Sequence, residues 1–240
     1  MLGMYDMPAV QAANDRFWSL IRAHLGYGPE RLTRDGDVWE VWQDPNLVLA
    51  QTCGMPFRTR LHGQVQLVGT PDYGLPDCSP GHYCSVFVVR RDDTRNIGGL
   101  CEGIFAYNEA LSQSGWAAPV THMSQSNLRP AALLETGGHA LSAMAVVDGK
   151  ADFAALDLLT WLMLRQHTDL GDRLHELVRT DPTPTLPYIT ATGQNPNAIA
   201  GAIRAAIDQL GDDDKRLLHI RGLVEIPVAA YLAVPSPPEP

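Results

Sequence analysis

Two polar clusters constrain the fold of this chain most, because each lies between a short apolar run and a stretch with helical patterning. The first is residues 107–116 (YNEALSQSGW), and the second is residues 136–139 (TGGH), with Asp157 at the end of a later apolar run. A helix that begins at such a cluster offers backbone N–H groups to an anion. The hydroxyls of Ser112 and Ser114 add further donors beside a glycine that leaves the backbone open. The two polar clusters together are therefore predicted to form the base of a small-ligand site.

Composition limits the other functions. The chain has 240 residues, 45% of them hydrophobic and 19% charged, with a formal charge of −9. This length suits one large domain or two small ones and can bury a sizeable core. The chain lacks a basic run, which argues against nucleic acid as a partner. Its apolar runs fall short of the roughly 18 residues of a membrane span, so we predict no direct membrane insertion.

The cysteines and the N-terminal stretch bear on cofactors and location. Cys78, His82 and Cys84 are close in sequence but match no zinc signature, so we predict neither a metal nor a cofactor. Residues 1–25 lack a basic start and a long apolar segment, so the sequence as written predicts a cytoplasmic protein with free thiols. A trimmed periplasmic protein would have the same pattern.

Short apolar runs alternate with amphipathic stretches, which predicts an α/β fold. Strands are predicted at residues 2–5, 47–52, 65–69, 83–90, 104–107, 153–156 and 188–191. Helices are predicted over residues 9–25 and 196–210 and from near residues 115, 138 and 158. Residues 38–42 fit either a strand or a helix. Residues 73–83 predict a surface loop, and the proline-rich tail is expected to be frayed.

Each candidate site residue also has a structural interpretation that the sequence leaves open. Serines fit helix N-caps, as does Asp157 before the following helix. His139 fits a buried structural histidine, although a histidine at its ordinary pKa of about 6.5 would make anion binding sensitive to pH. Thr52 and Thr70 end apolar runs, where a hydroxyl either faces a ligand or only closes a turn.

Several motifs together resemble the substrate-binding proteins of phosphate, phosphite and phosphonate ABC transporters, over about residues 4–226. They are QTCG at 51–54, VGTP at 68–71, SQSG at 112–115, GH at 138–139 followed by Ser142, and GKADFAALD at 149–157. The resemblance implies a two-lobed type 2 periplasmic-binding-protein fold with a ligand cleft between the lobes. Lobe 1 would be residues 1–88 plus 185–240, and lobe 2 would be residues 89–184.

The implied function is non-catalytic binding of a small oxyanion, namely phosphate, a phosphonate or a phosphate ester. The implied partners are this anionic ligand and the membrane components of an ABC transporter. The resemblance maps ligand contacts onto Ser112, Gln113, Ser114, His139 and Asp157, and loosely onto Tyr5. The residue patterns add Thr52, Thr70, Tyr107 and Gly138. Two features depart from the family. Gln113 stands where a small hydroxyl residue is common, and the second carboxylate expected for binding an amino-phosphonate is not obvious, with Glu135 as a weak candidate.

Two other functions remain open at this stage. One is a cytoplasmic enzyme on the same fold, similar to menaquinone-pathway or thiamin-pyrimidine enzymes, with His139 and Asp157 as acid and base. The chain has no nucleophile-elbow or phosphate-loop sequence, so binding without catalysis is favoured. The other is a cytoplasmic sensor that reports its ligand to a partner protein.

Overall fold

A computed structural model describes residues 3–240. The chain forms two compact units. Unit 1 comprises Met1–His82 and Pro184–Ala233, and unit 2 comprises Tyr83–Thr183 and Val234–Pro240. The chain thus passes from one unit to the other after His82, after Thr183 and again after Ala233.

The strands are short, and most of them are buried. In chain order they are β1 (Ala50–Gln51), β2 (Val65–Asp72), β3 (His82–Tyr83), β4 (Ser85–Arg90), β5 (Ile104–Tyr107), β6 (Ala132–Glu135), β7 (Phe153–Asp157), β8 (Leu174–Arg179), β9 (Thr183–Pro184), β10 (Tyr188–Ala191) and β11 (Gly222–Val224).

The α-helices are α1 (Gln11–Leu25), α2 (Val38–Trp42), α3 (Gly54–Pro56), α4 (Ile97–Leu100), α5 (Ala118–Gln125), α6 (His139–Val147), α7 (Leu158–His167), α8 (Leu170–Arg173), α9 (Pro196–Gln209), α10 (Asp212–Leu218) and α11 (Val228–Leu232). There are also two π-helical turns. Phe57–Leu61 lies between α3 and β2, and Gln113–Ala117 leads into α5. Gly3–Tyr5 and Pro8–Val10 are 3₁₀ turns.

Unit 1 is built on an antiparallel sheet with the strand order β1-β10-β2-β11. The two long helices of this unit, α1 and α9, pack against each other, and α9 also packs on β2. Local signals set their ends. Gly26 terminates α1 in the left-handed region, at φ 76°, and Asn195 caps α9 by accepting from two amides of its first turn.

Unit 2 is built on a five-stranded sheet with the order β6-β5-β7-β4-β8. Strands β6, β5 and β7 are parallel to one another, whereas β4 runs antiparallel to β7 and β8. Helices α5, α6 and α7 pack against β4. The phenylalanines Phe87, Phe105 and Phe153 meet in the core of this unit and are fully buried. This packing explains why β4 and β7 are apolar along nearly their whole length.

The structure corrects several sequence predictions. Gly3–Tyr5 forms a 3₁₀ turn instead of part of a strand, and Leu2 lies outside the described residues. The ambiguous residues 38–42 are helical, because the Asp37 side chain caps them by accepting from the amide of Trp39. The tail was expected to be frayed, but Val234–Pro240 packs as part of unit 2.

A buried hydrogen-bond chain in unit 1 involves the candidate residue Thr70. The hydroxyl of Tyr231 donates to the carbonyl of Thr185 at 2.8 Å and lies 2.7 Å from the hydroxyl of Thr70. All three residues are buried. Since the single phenolic proton goes to Thr185, the Thr70 hydroxyl is the donor in the second bond. Thr70 thus ties the β2 strand to helix α11.

Replacing Tyr231 with phenylalanine should lower the free energy of unfolding by about 1–3 kcal/mol, because it leaves a buried hydroxyl and a buried carbonyl without a partner. Denaturant unfolding measures this loss. The matched control is Tyr27→Phe, which removes the hydroxyl of an exposed tyrosine that bonds to Gln194, and a change within about 0.5 kcal/mol is expected there. Equal losses in the two variants would contradict the predicted role of burial.

Candidate functional site

Three of the predicted site segments leave the same edge of the unit 2 sheet. Strands β5, β6 and β7 are parallel neighbours, so their carboxyl ends lie together. Residues 112–115, called the serine turn below, follow β5, and residues 136–139, called the glycine turn, follow β6. Asp157 is the last residue of β7. This edge of a parallel sheet is where α/β proteins commonly bind ligands.

The serine turn opens the π-helix Gln113–Ala117, which continues directly into α5. Ser112 is its N-cap: its Oγ accepts a hydrogen bond from the amide of Gly115 at 2.9 Å. The first amides of a helix have no acceptor within the helix, and π-helical turns occur often at functional sites. Ser112, Gln113 and Ser114 are all buried. Ser112 is therefore a cap whose hydroxyl proton is still able to reach another acceptor.

Gly115 is needed because the side chain of Asn108 occupies the space beside it. A Cβ at Gly115 would lie 1.8 Å from Asn108 Oδ1 and 2.8 Å from its Cγ. Any larger residue would displace the carboxamide. Asn108 directly follows β5, and its carbonyl also accepts from the amide of Gly137 at 2.8 Å. Asn108 thus holds the serine and glycine turns in contact.

The glycine turn is fixed by hydroxyl groups. Thr136 Oγ1 lies 2.6 Å from Ser142 Oγ and donates to the carbonyl of Tyr107 at 3.0 Å or to that of Gly138 at 3.2 Å. Gly137 adopts φ 82°, which only glycine does at low cost. Gly138 is extended and serves as the N-cap of α6. The turn is thereby rigid at the point where α6 begins.

The two turns are joined by the hydrogen bond between Ser114 Oγ and His139 Nε2, which measures 2.9 Å. Burial lowers the pKa of His139 to about 4, and an interaction with the backbone of Ala155 acts more weakly in the opposite direction. The imidazole is therefore neutral at pH 7. The direction of the proton in this bond depends on the tautomer.

Tyr107 places an aromatic and acidic border beside the serine turn. Its ring centroid lies 5.0 Å from that of Trp116, and its hydroxyl donates to Glu135 Oε2 at 3.4 Å. Burial first, and then the charge of Glu135, raise the pKa of Tyr107 above its ordinary value. Partial desolvation and the same charge raise the pKa of Glu109. Negative charge therefore accumulates on this side of the turns.

Asp157 is buried and caps α7 by accepting from the amide of Thr160 at 3.0 Å. The structural interpretation of this residue thus holds, and one of its carboxylate oxygens is committed to the cap. The buried side chain remains at the carboxyl edge of the sheet, next to the strand end that precedes α7.

The remaining candidates, Tyr5, Thr52 and Thr70, belong to unit 1. Tyr5 packs edge-on against Tyr73, with ring centroids 5.3 Å apart. The hydroxyl of Thr70 is engaged with Tyr231, whereas the fully buried Thr52 Oγ1 has no hydrogen-bond partner among residues 3–240. The structure brings the unit 2 candidates together as one cluster and shows these three as part of the other unit.

Sequence reasoning omitted several residues that hold the site. Asn108 and Trp116 lie inside the first cluster, and Thr136 and Ser142 flank His139, yet none was a predicted contact. The sequence signal for Asn108 was its position directly after a predicted strand. Gly115, which lies beside it in the fold, is seven residues later in the chain. Trp116 is buried.

The cysteines, the clusters of metal-ligating side chains and the helix lengths bear on other kinds of site. The four cysteines are in the reduced form, outside any disulfide bond, and three of them are buried. Within residues 3–240, no group of three or more His, Cys, Asp or Glu side chains is placed to hold a metal ion. Among the helices of residues 3–240, none is both long enough and apolar enough to cross a membrane.

Comparison with known proteins places the chain among binding proteins. The sequence model of the family described as "ABC transporter, phosphonate, periplasmic substrate-binding protein" matches residues 48–228. No curated protein is similar enough in sequence to count as a match.

Solved structures show the same fold. PhnD1 from Prochlorococcus marinus in complex with methylphosphonate has a TM-score of 0.71 and 15% identity, covering 93% of this chain and 89% of its own. XAC2383 from Xanthomonas citri bound to ATP has a TM-score of 0.66 and 17% identity, and the match covers 92% of this chain and 90% of XAC2383. PA3383 from Pseudomonas aeruginosa, a binding protein component of an ABC phosphonate transporter, has a TM-score of 0.65 and 14% identity. The match covers 87% of this chain and 72% of PA3383. These likenesses confirm the predicted α/β fold of type 2 periplasmic binding proteins.

The pKa of His139 predicts a pH dependence of stability. A folded-state pKa of about 4 against about 6.5 in the unfolded chain means that the unfolded state binds the proton first, so stability is full above pH 6.5 and falls as the pH drops toward 4. Between pH 7 and pH 5 the loss should be about 2 kcal/mol. His139→Gln should remove this part of the loss, as measured by denaturant unfolding at both pH values.

The matched control is His24→Gln, because His24 is exposed on α1. That variant should keep the full loss between pH 7 and pH 5. If His139→Gln and His24→Gln showed the same pH dependence as the parent chain, the lowered pKa of His139 would be refuted.

Proposed function

This chain belongs to the phosphonate-binding family of periplasmic substrate-binding proteins of ABC transporters, and from that membership we propose that it binds a phosphonate or a similar small phosphorus oxyanion at the serine and glycine turns of unit 2. Gln113, Ser114 and His139 would supply the central contacts.

The observation that carries this proposal is the Ser114–His139 hydrogen bond at the start of two helices. A phosphonate oxygen near Ser114 would favour the arrangement in which Nε2–H donates to Ser114 and the serine hydroxyl donates to the anion. Backbone amides at the start of the π-helix would complete the donor set. Donors that the fold already holds in place lose little entropy on binding.

The charges near the site favour a small anionic head group. Glu109 and Glu135 place negative charge beside Tyr107, and repulsion of this kind discriminates against ligands of high negative charge. The same carboxylates, with Asp157, would favour a ligand that also carries an amino group. Methylphosphonate, the ligand in the PhnD1 structure, and ATP, the ligand in the XAC2383 structure, are therefore an informative pair of probes.

Binding without chemistry is the better-supported activity. A hydrogen-bonded serine and histidine also form a nucleophile and a base in some enzymes. A base works best when its pKa lies near the working pH, and the pKa of about 4 makes His139 a weak base at pH 7. Asp157, the other candidate acid or base, is committed to capping α7.

The family description also supports a location and a partner. Its members are periplasmic components of ABC transporters, and we propose that this chain delivers its ligand to the membrane components of such a transporter. A ligand-dependent change in binding to those components is the corresponding observable.

Methylphosphonate should bind the parent chain, and Ser114→Ala should weaken its binding by about 10-fold to 100-fold, the effect of losing one hydrogen bond to a charged group. Isothermal titration calorimetry measures both Kd values, and phosphorus NMR of the same samples reports any turnover. A panel of phosphate, phosphite, 2-aminoethylphosphonate, sulfate and ATP defines the ligand class.

The matched control is Ser124→Ala, which removes the hydroxyl of an exposed serine on α5 and should leave the Kd unchanged. Absence of binding by every member of the panel would refute the proposed ligand class. Equal affinities of the two variants would refute the proposed site, and a product signal would refute non-catalytic binding.

A further inference from the structure

The carboxyl-terminal segment Val234–Pro240 contacts the side of unit 2 that carries the serine turn. It follows α11 of unit 1 but packs as part of unit 2. It contains four prolines, and together with Trp116, Val120, Met123 and Leu128 it lines an open pocket of about 520 Å³. The segment is therefore a docked element with its own packing surface.

A directed hydrogen bond helps to hold this segment on unit 2. The indole Nε1 of Trp116 donates to the carbonyl of Pro238 at 3.0 Å. Trp116 is buried, and a buried indole N–H, which can only donate, needs an acceptor. Aromatic grooves that recognise proline-rich chains use such packing, because proline segments are already restricted before binding.

Trp116 belongs to the same π-helix as the serine turn. Its amide donates to the carbonyl of Ser112 at 3.2 Å, and the amide of Ala117 donates to the same carbonyl at 2.9 Å. On its other side the indole packs against the ring of Tyr107. The indole is thus held between the tail and the end of β5, and Trp116 lies two residues after Ser114 in the same π-helix.

We propose that the segment Val234–Pro240 is a positioning element of the binding site, which holds the serine turn in its binding geometry through the bond between Pro238 and Trp116. This inference rests on the proposed function for its effect on affinity. Trp116 and the tail act through the turn and need not touch the ligand.

The first test is a double-mutant cycle on methylphosphonate affinity. A chain ending at Val234 and the full-length Trp116→Phe variant should each weaken binding about fivefold, comparable to the loss of one neutral hydrogen bond. The combined variant should be no weaker than either alone, because both changes remove the same interaction. Effects that multiply, or an unchanged Kd in both single variants, would overturn the proposal.

The matched control is Trp18→Phe in unit 1. Trp18 is buried, and its Nε1 also donates to a proline carbonyl, that of Pro29, at 3.0 Å. This variant should lower the melting temperature as Trp116→Phe does, yet leave the Kd unchanged. If it weakened binding equally, general loss of stability would explain the effect and positioning would be refuted.

A second measurement needs no ligand and separates this inference from the proposed function. Hydrogen exchange of the amides at residues 113–117 should accelerate in the shortened chain and slow again when a synthetic peptide of residues 234–240 is added in excess. Unchanged exchange would overturn the positioning role even if methylphosphonate binds. Faster exchange in a chain that does not bind methylphosphonate would refute the proposed ligand alone. If the shortened chain fails to fold, the same exchange comparison with Trp116→Phe decides.

Discussion

The register of the three parallel strands in unit 2 is the constraint on which the candidate site depends. Phe105 pairs with Phe153 between β5 and β7, and Tyr107 pairs with Glu135 between β5 and β6. The two phenylalanine rings are fully buried, with centroids 5.0 Å apart. A slip of one residue would turn these rings to the other face of the sheet. The core packing therefore also fixes where the serine and glycine turns begin.

The turns assemble neutral groups in a chain of formal charge −9. Hydroxyls, backbone amides and an imidazole with a lowered pKa supply the polar atoms, while Glu109 and Glu135 add negative charge nearby. Oriented N–H and O–H groups hold an anion through short, directed hydrogen bonds. Selectivity in such a site comes from how many oxygen atoms fit the donors and how much charge the border tolerates.

The sequence predicts best those features that depend on local pattern. The apolar run before the serine turn gave β5 with its observed ends, and its serines and glycine indicated the helix start. The exposed edge strand β6 was missed, because it has little of the burial that makes a strand apolar. Contacts between residues distant in sequence could not be predicted either. The proline content suggested a frayed tail, and the fold shows instead that Trp116 donates a hydrogen bond to the carbonyl of Pro238.

A polar residue after an apolar strand is ambiguous in sequence, and the partners of its hydroxyl resolve part of the ambiguity. Thr70 donates to Tyr231 and so has a structural role that its sequence position did not reveal. Thr52 has the same residue type and a similar position, but its buried hydroxyl has no hydrogen-bond partner in the described part of the chain. An unsatisfied buried hydroxyl costs about 1–3 kcal/mol, a cost that a ligand oxygen would relieve. The two threonines therefore differ in whether the described fold already uses the hydroxyl.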